Sequence, residues 1–127
     1  MFTVSWAEEE RTAATVEEVD RILDQVHLDA ARDPQLVTVE TEATGDTLAV
    51  GLGLDRSVLS YVGAGGDPPY FISVGDSDVD APIAFRFNGH YSDFPMRCSV
   101  PTAVAREAMK HFCVTGKLSP AIRWEEG

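Results

Sequence analysis

The first third of the chain changes from a strand pattern to a helix pattern. Phe2, Val4 and Trp6 alternate with small or polar residues, which predicts a short strand with one buried face. After the acidic run 8–10, apolar residues recur with helical spacing, which predicts an amphipathic helix over about residues 15–31; they are Val19, Ile22, Leu23 and Val26.

The ends of this helix carry recognisable signals. Thr15 followed by Glu18 matches the capping-box pattern, and Asp33-Pro34 is incompatible with continuing the helix. Its outer face is acidic and includes Asp20 and Asp24.

From residue 36 onward the pattern is that of strands. Residues 36–39 and 48–54 are separated by Thr44-Gly45-Asp46, which predicts a hairpin. Three further runs cover residues 58–62, 69–74 and 82–87, and each ends at glycine, the last at Asn88-Gly89. Five short strands joined by short polar turns favour an antiparallel meander.

A second helix follows Phe94-Pro95. Pro101 suits its first turn and Gly116 its C-terminal cap, with Val104, Ala105, Ala108, Met109 and Phe112 on one face. Residues 121–124 are interpreted as a last strand or a docked tail. We therefore predict a single α+β domain over residues 1–127, with an antiparallel sheet of about five to six strands and two helices packed on one face.

The chain is strongly acidic. It has 21 Asp and Glu against 10 Lys and Arg, a net charge of −11, and 13 of the acidic residues precede residue 56. This balance argues against direct binding to nucleic acid or an anionic membrane and favours a basic protein partner. An acidic surface that only maintains solubility is the alternative.

Localisation and thiol chemistry follow from what the sequence contains. The N-terminus has neither a basic start nor an apolar signal core, so we expect a cytoplasmic protein. Two cysteines, Cys98 and Cys113, are too few for a disulfide scaffold, and we interpret Cys113 as a small buried hydrophobic residue. We predict no cofactor.

The residues that most resemble a metal site are Asp76, Asp78 and Asp80. They have the D-x-D-x-D opening of a calcium loop, but Ala81 stands where the loop needs glycine and Phe87 where it needs glutamate. We predict a structural turn, without metal, whose acidic tip is available to a partner.

Two other segments resemble sites of known chemistry. The glycine-rich run 63–66 precedes Asp67-Pro68 rather than a helix, so a hairpin turn is the better interpretation than a phosphate loop. His90, Ser92 and Asp93 are the residue types of a nucleophilic triad but lie within four positions, so we predict that the chain is not an enzyme.

The aromatic residues near position 90 divide into two groups. Phe85 and Phe87 alternate on one face of their strand, which favours core packing. Tyr91 and Asp93 lie beyond the Asn88-Gly89 turn, and a tyrosine beside carboxylates is typical of a protein interface.

The order of several late motifs resembles the bacterial Imm1 immunity-protein family. They are PPYFISVGD at 68–76, FRFNGHYSDFP at 85–95, Pro101 with Ala105, Ala108 and Phe112 before Gly116, and Trp124-Glu125. The likeness spans about residues 60–126, whereas earlier residues agree only in architecture. Asp93 stands where the family pattern leads us to expect glutamate.

The resemblance implies a non-catalytic protein encoded beside a polymorphic toxin that binds the toxin domain and spares the producing cell. Toxins of such systems include deaminase-fold domains acting on nucleic acid or nucleotides. The alternative is a free-standing acidic regulator or chaperone-like binding protein that mimics nucleic acid. We expect the interface to use Asp76, Asp78, Asp80, Tyr91 and Asp93, with Asp20 and Asp24 as a second patch.

Overall fold

Eleven strands and two α-helices form in the computed structural model, which describes residues 1–127. The strands are β1 (Phe2–Trp6), β2 (Glu9–Ala13), β3 (Gln35–Thr41), β4 (Thr47–Leu52), β5 (Arg56–Ser57), β6 (Leu59–Val62), β7 (Tyr70–Val74), β8 (Pro82–Phe87), β9 (His90–Pro95), β10 (Val100–Pro101) and β11 (Arg123–Glu126). The helices are α1 (Val16–Asp29) and α2 (Thr102–Thr115). The predicted α+β class and the two helices are confirmed.

The main sheet is larger than predicted. It has nine strands rather than five to six, in the order β11-β7-β6-β4-β3-β1-β2, with β8 pairing β3 and β9 pairing β8; β5 and β10 form a separate ladder. The prediction missed β2 and β9. Four of the five residues of β2 are exposed, and β9 has no buried residue, so neither strand shows the alternation of apolar residues by which a half-buried strand is recognised.

The predicted meander holds for four strands and then fails. Strands β3, β4, β6 and β7 pair antiparallel in succession. Strand β8 then crosses over and pairs parallel with β3 through Gln35 and Arg86. The sheet has apolar residues on both faces, and this crossover lets β8 and β9 cover the second one.

The first face of the sheet packs against both helices. Its core contains 18 buried residues, among them Leu23 of α1, Val39 of β3 and Phe112 of α2. Two predicted capping signals are also confirmed: Thr15 accepts a hydrogen bond from the Glu18 N–H at 3.1 Å, and Gly116 caps α2 with φ of 74°. The first helix was predicted to reach about residue 31, whereas α1 ends at Asp29 and a 3-10 turn, Ala30–Arg32, follows.

The second face carries a smaller core under the β8–β9 hairpin. Phe85, completely buried, packs with Leu36, Val58 and Ile83. Its ring lies directly over Gly51 of β4, where a Cβ atom would overlap the ring. The two residues at the hairpin tip, Asn88 and Gly89, have φ of 51° and 83°, which is the two-residue turn that the sequence predicts.

The chain ends as a strand on the edge of the sheet. Strand β11 pairs antiparallel with β7 and places Trp124 opposite Ser73. The Trp124 indole N–H donates a hydrogen bond to the Ser119 carbonyl at 2.9 Å while the ring packs against the helix-side core. The strand alternative for this segment is therefore correct.

Candidate protein-interaction surface

The β8–β9 hairpin has an inner and an outer face. The inner face, with Ile83, Phe85 and Phe94, packs into the smaller core. The register pairs Arg86 with Tyr91 and Ala84 with Asp93. Because residues directly opposite in an antiparallel pair share a face, all four of these side chains lie on the outer face.

Tyr91 on this outer face is exposed but held in position. Its side chain is 59% exposed. The Arg86 guanidinium lies over the ring at 4.4 Å from its centroid, and Arg86 Nη2 donates to the Tyr91 hydroxyl at 3.0 Å. The hydroxyl in turn donates to Asp33 Oδ1 at 3.1 Å. The ring is therefore presented to solvent in one orientation.

Asp33 connects this arrangement to the body of the protein. Arg86 Nε donates to both Asp33 carboxylate oxygens, at 3.1 and 3.0 Å, and Arg86 Nη1 donates to the Gly89 carbonyl at 3.4 Å. Hydrogen bonding to Asp33 raises the pKa of the Arg86 guanidinium. We call Asp33, Arg86 and Tyr91 the tyrosine clamp.

Three of the predicted interface carboxylates lie together, and one of them, Asp93, shares the outer face of the hairpin with Tyr91. Asp78, Asp80 and Asp93 line one open groove of about 690 Å³, together with apolar residues that include Val79, Pro95 and Met96. The one basic residue in its lining is Arg97, which is already paired with Glu125 at 2.9 Å. We call this the acidic groove.

Asp76 lies apart from the other two aspartates of its loop. It lines a different groove with Arg56 and Arg123, and its fully exposed carboxylate is 3.5 Å from Arg123 Nη2. The structure therefore brings Asp78, Asp80 and Asp93 together in one groove and places Tyr91 on the same hairpin face as Asp93, but it does not bring Asp76 to them.

The second predicted patch, on α1, is paired with bases of α2. Arg106 Nη2 is 2.7 Å from Asp20 Oδ1 and 2.8 Å from Asp24 Oδ1, and Lys110 Nζ is 3.6 Å from Asp20. Burial opposes the charge of Arg106, but its hydrogen bonds to the two carboxylates raise its pKa. This patch lies on the helix side of the sheet, whereas the tyrosine clamp lies beyond the hairpin on the other side.

The residues that resemble a catalytic triad do not converge. Strand β9 alternates, so His90 and Ser92 lie on the opposite face from Asp93. No group of three or more His, Cys, Asp or Glu side chains is arranged to hold a metal ion. Neither helix is both long and apolar enough to cross a bilayer.

The two cysteines are separated by the sheet. Cys98 is buried in the smaller core, and Cys113 packs against the helix-side core. Both are free thiols. Burial raises the pKa of Cys113 to about 11 and also raises that of Cys98.

Two members of the tyrosine clamp, Asp33 and Arg86, were not recognised from the sequence. Asp33 was interpreted only as the end of a helix. Arg86 stands between Phe85 and Phe87, and this alternation does show that its side chain points to the opposite face. The contact between the two residues spans 53 positions and has no local signal.

Comparison with known proteins identifies one relationship. A family model described as Immunity protein Imm1 matches residues 7–126. The match includes the first half of the chain, where the sequence motifs alone indicated only a common architecture. No curated protein matches the chain.

Proposed function

The chain belongs to the Imm1 family of immunity proteins, and we propose that it neutralises a cognate bacterial toxin domain by binding and occluding it. In this proposal the protein acts in the cytoplasm of the producing cell and needs neither catalysis nor a cofactor. The family match across residues 7–126 is the observation that carries it.

The charge of the chain supports a basic partner. A toxin domain that acts on nucleic acid, including one with a deaminase fold, needs a cationic groove for its substrate. A protein with a net charge of −11 can cover such a groove, and opposite fields accelerate the encounter. Rapid association is useful for a protein that must intercept a toxin before it acts.

The surface available for binding includes the residues expected from the sequence. Asp78, Asp80 and Asp93 line one groove, and the exposed Tyr91 shares the outer face of the hairpin with Asp93. Asp76 and the patch of Asp20 and Asp24 remain part of the proposal as neighbouring or alternative contacts, although each of these carboxylates already has a cationic neighbour in the chain.

The test is co-expression with the toxin domain encoded beside this chain. We expect the chain to restore growth and to co-elute with the toxin as a stable complex in size-exclusion chromatography. An inactive toxin variant serves as the binding partner where the active toxin cannot be purified. If growth is not restored and no complex forms, the proposal is wrong, and the regulatory alternative becomes the better hypothesis.

A further inference from the structure

The outer face of the β8–β9 hairpin combines an exposed tyrosine that is held in place, Tyr91, with a carboxylate that has no ion pair within the chain, Asp93. Binding hot spots in protein interfaces are enriched in tyrosine. A side chain that is already ordered loses less conformational entropy on binding than a mobile one. Tyr91 meets this condition because Arg86 and Asp33 hold its ring and hydroxyl.

Ala84 is the smallest of the four side chains on this outer face. Ala84 is directly opposite Asp93, and Arg86 is directly opposite Tyr91. Tyr91 and Asp93 are two positions apart on one strand, a separation of about 6.6 Å between their Cα atoms. The Tyr91 ring and the Asp93 carboxylate both attract a cationic side chain.

The acidic groove continues this surface. Asp78 and Asp80 line it together with Asp93, and Val79, Pro95 and Met96 add apolar surface. A lysine or arginine places its aliphatic stem on apolar atoms and its charged end near carboxylates. The groove therefore has the chemistry that accepts a long basic side chain from a partner.

The ion pairs of the chain favour this surface over the acidic face of α1. Asp20 and Asp24 share Arg106, and Asp20 also has Lys110. In contrast, Asp78, Asp80 and Asp93 take part in no ion pair within the chain. A partner supplies the missing positive charge without first displacing an internal arginine.

We propose that the toxin domain docks on the outer face of the β8–β9 hairpin, with Tyr91 as the anchor and the acidic groove receiving a lysine or arginine of the toxin. This inference rests on the proposed function, since the occupant is the toxin domain. It excludes the acidic face of α1 as the main contact.

The experiment measures the affinity of the inactive, purified toxin domain for variants of the full chain. Tyr91→Ala removes the anchor, and we expect it to weaken binding about 30-fold or more. Ala84→Arg places a bulky positive group on the same face and leaves the three residues of the tyrosine clamp unchanged in sequence, and we expect a similar or larger loss.

Each variant has a matched control. Tyr70→Ala removes a second exposed tyrosine from β7, and Ala103→Arg adds the same cation to the exposed side of α2. Both should bind within about threefold of the unmodified chain. Thermal unfolding of all four variants shows whether each is folded. If Tyr91→Ala is not folded, Ala84→Arg alone tests the docking surface.

The outcomes separate this inference from the proposed function. If the unmodified chain binds and both hairpin variants bind equally well, the docking surface is wrong and the immunity function stands. The surface is also wrong if Tyr70→Ala and Ala103→Arg weaken binding as much as the hairpin variants do. If the unmodified chain does not bind the toxin domain, both proposals fail.

Discussion

The hydroxyl of Tyr91 donates a hydrogen bond to Oδ1 of Asp33, 3.1 Å away and 58 positions earlier in the chain. This bond connects the outermost strand of the hairpin to the turn that precedes β3. Because Arg86 contacts both partners, the three side chains form a closed network. Such networks are expected to act as a unit rather than as independent pairs.

The first prediction tests this coupling. Tyr91→Phe removes the hydroxyl and keeps the ring, whereas Asp33→Ala removes the carboxylate that both Arg86 and Tyr91 contact. We expect Asp33→Ala to lower the midpoint of urea unfolding. Tyr91→Phe should then lower the unfolding free energy less in the Asp33→Ala background than in the unmodified chain. The measurement is a double-mutant cycle of unfolding free energies. Strictly additive effects would show that the hydrogen bond contributes nothing.

The tyrosine clamp also shows what the sequence could and could not predict. The main elements were predictable because their buried side chains repeat with helix or strand period, as in α1 and in the β3–β4 hairpin. Strand β9 was missed because its six residues are all at least partly exposed. Its structure depends on pairing with β8 rather than on an apolar pattern of its own.

The candidate surface was predictable only in part. Tyr91, Asp78, Asp80 and Asp93 were selected by residue type and by their positions after turns. The sequence could not show that Asp20 and Asp24 meet Arg106, because that cation lies more than 80 positions later. Ion pairing between distant elements is what distinguishes the two acidic patches, and it depends on the tertiary structure.

The second prediction concerns the contact between Gly51 and Phe85. A methyl group at Gly51 would overlap the Phe85 ring, so Gly51→Ala should destabilise the protein by about 1 to 3 kcal/mol. Urea unfolding measures this loss. A smaller side chain in place of Phe85 should restore part of the lost stability. Phe85→Leu is therefore expected to cost less unfolding free energy in the Gly51→Ala background than in the unmodified chain. Equal costs in both backgrounds would contradict the direct contact.

The third prediction separates stability from binding on the helix side. Asp20→Ala leaves Arg106, whose side chain is 14% exposed, without its shortest ion pair. We expect a loss of about 2 kcal/mol in unfolding free energy, since the largely buried guanidinium loses a charged hydrogen bond and keeps only the more exposed Asp24 as an ion-pair partner. Asp24→Ala, at a more exposed carboxylate, should cost less than about 1 kcal/mol.

The same two variants should bind the toxin domain with little change, because their carboxylates neutralise Arg106 instead of facing a partner. Affinity is measured with the inactive toxin under conditions where both variants are fully folded. A loss above about tenfold for Asp24→Ala would assign the interface to α1 and contradict the hairpin surface.

The fourth prediction is a pH dependence at the buried thiol. Burial raises the pKa of Cys113 from 9.0 to about 11, so the unfolded chain releases this proton first as the pH rises. The stabilisation linked to the protonated thiol is complete below about pH 9 and is lost between about pH 9 and 11. We expect the melting temperature of the Cys113→Ala variant to fall less across this pH interval than that of the unmodified chain.

Alkylation gives a second measurement of the same thiol. In a Cys98→Ala background, iodoacetamide at pH 8 should react with Cys113 slowly, because about one thiol in a thousand is ionised when the pKa is about 11. Adding urea should accelerate the reaction sharply. Rapid alkylation of the folded protein would show that the thiol is neither buried nor shifted.

The last prediction concerns how the acidic groove contributes to association. Replacing Asp78, Asp80 and Asp93 together with asparagine removes three charges while keeping side-chain size, so the fold should be unaffected. Because opposite charges steer the encounter, we expect slower association with the toxin domain and a weaker dependence of that rate on salt. The matched control replaces Glu8, Glu9 and Glu10, three exposed acids at the end of the β1–β2 turn and the start of β2, with glutamine. Both variants have the same net charge, so a general field would affect them equally. A local docking surface predicts the larger change for the groove variant at every salt concentration, and stopped-flow measurements between low and physiological salt distinguish the two accounts.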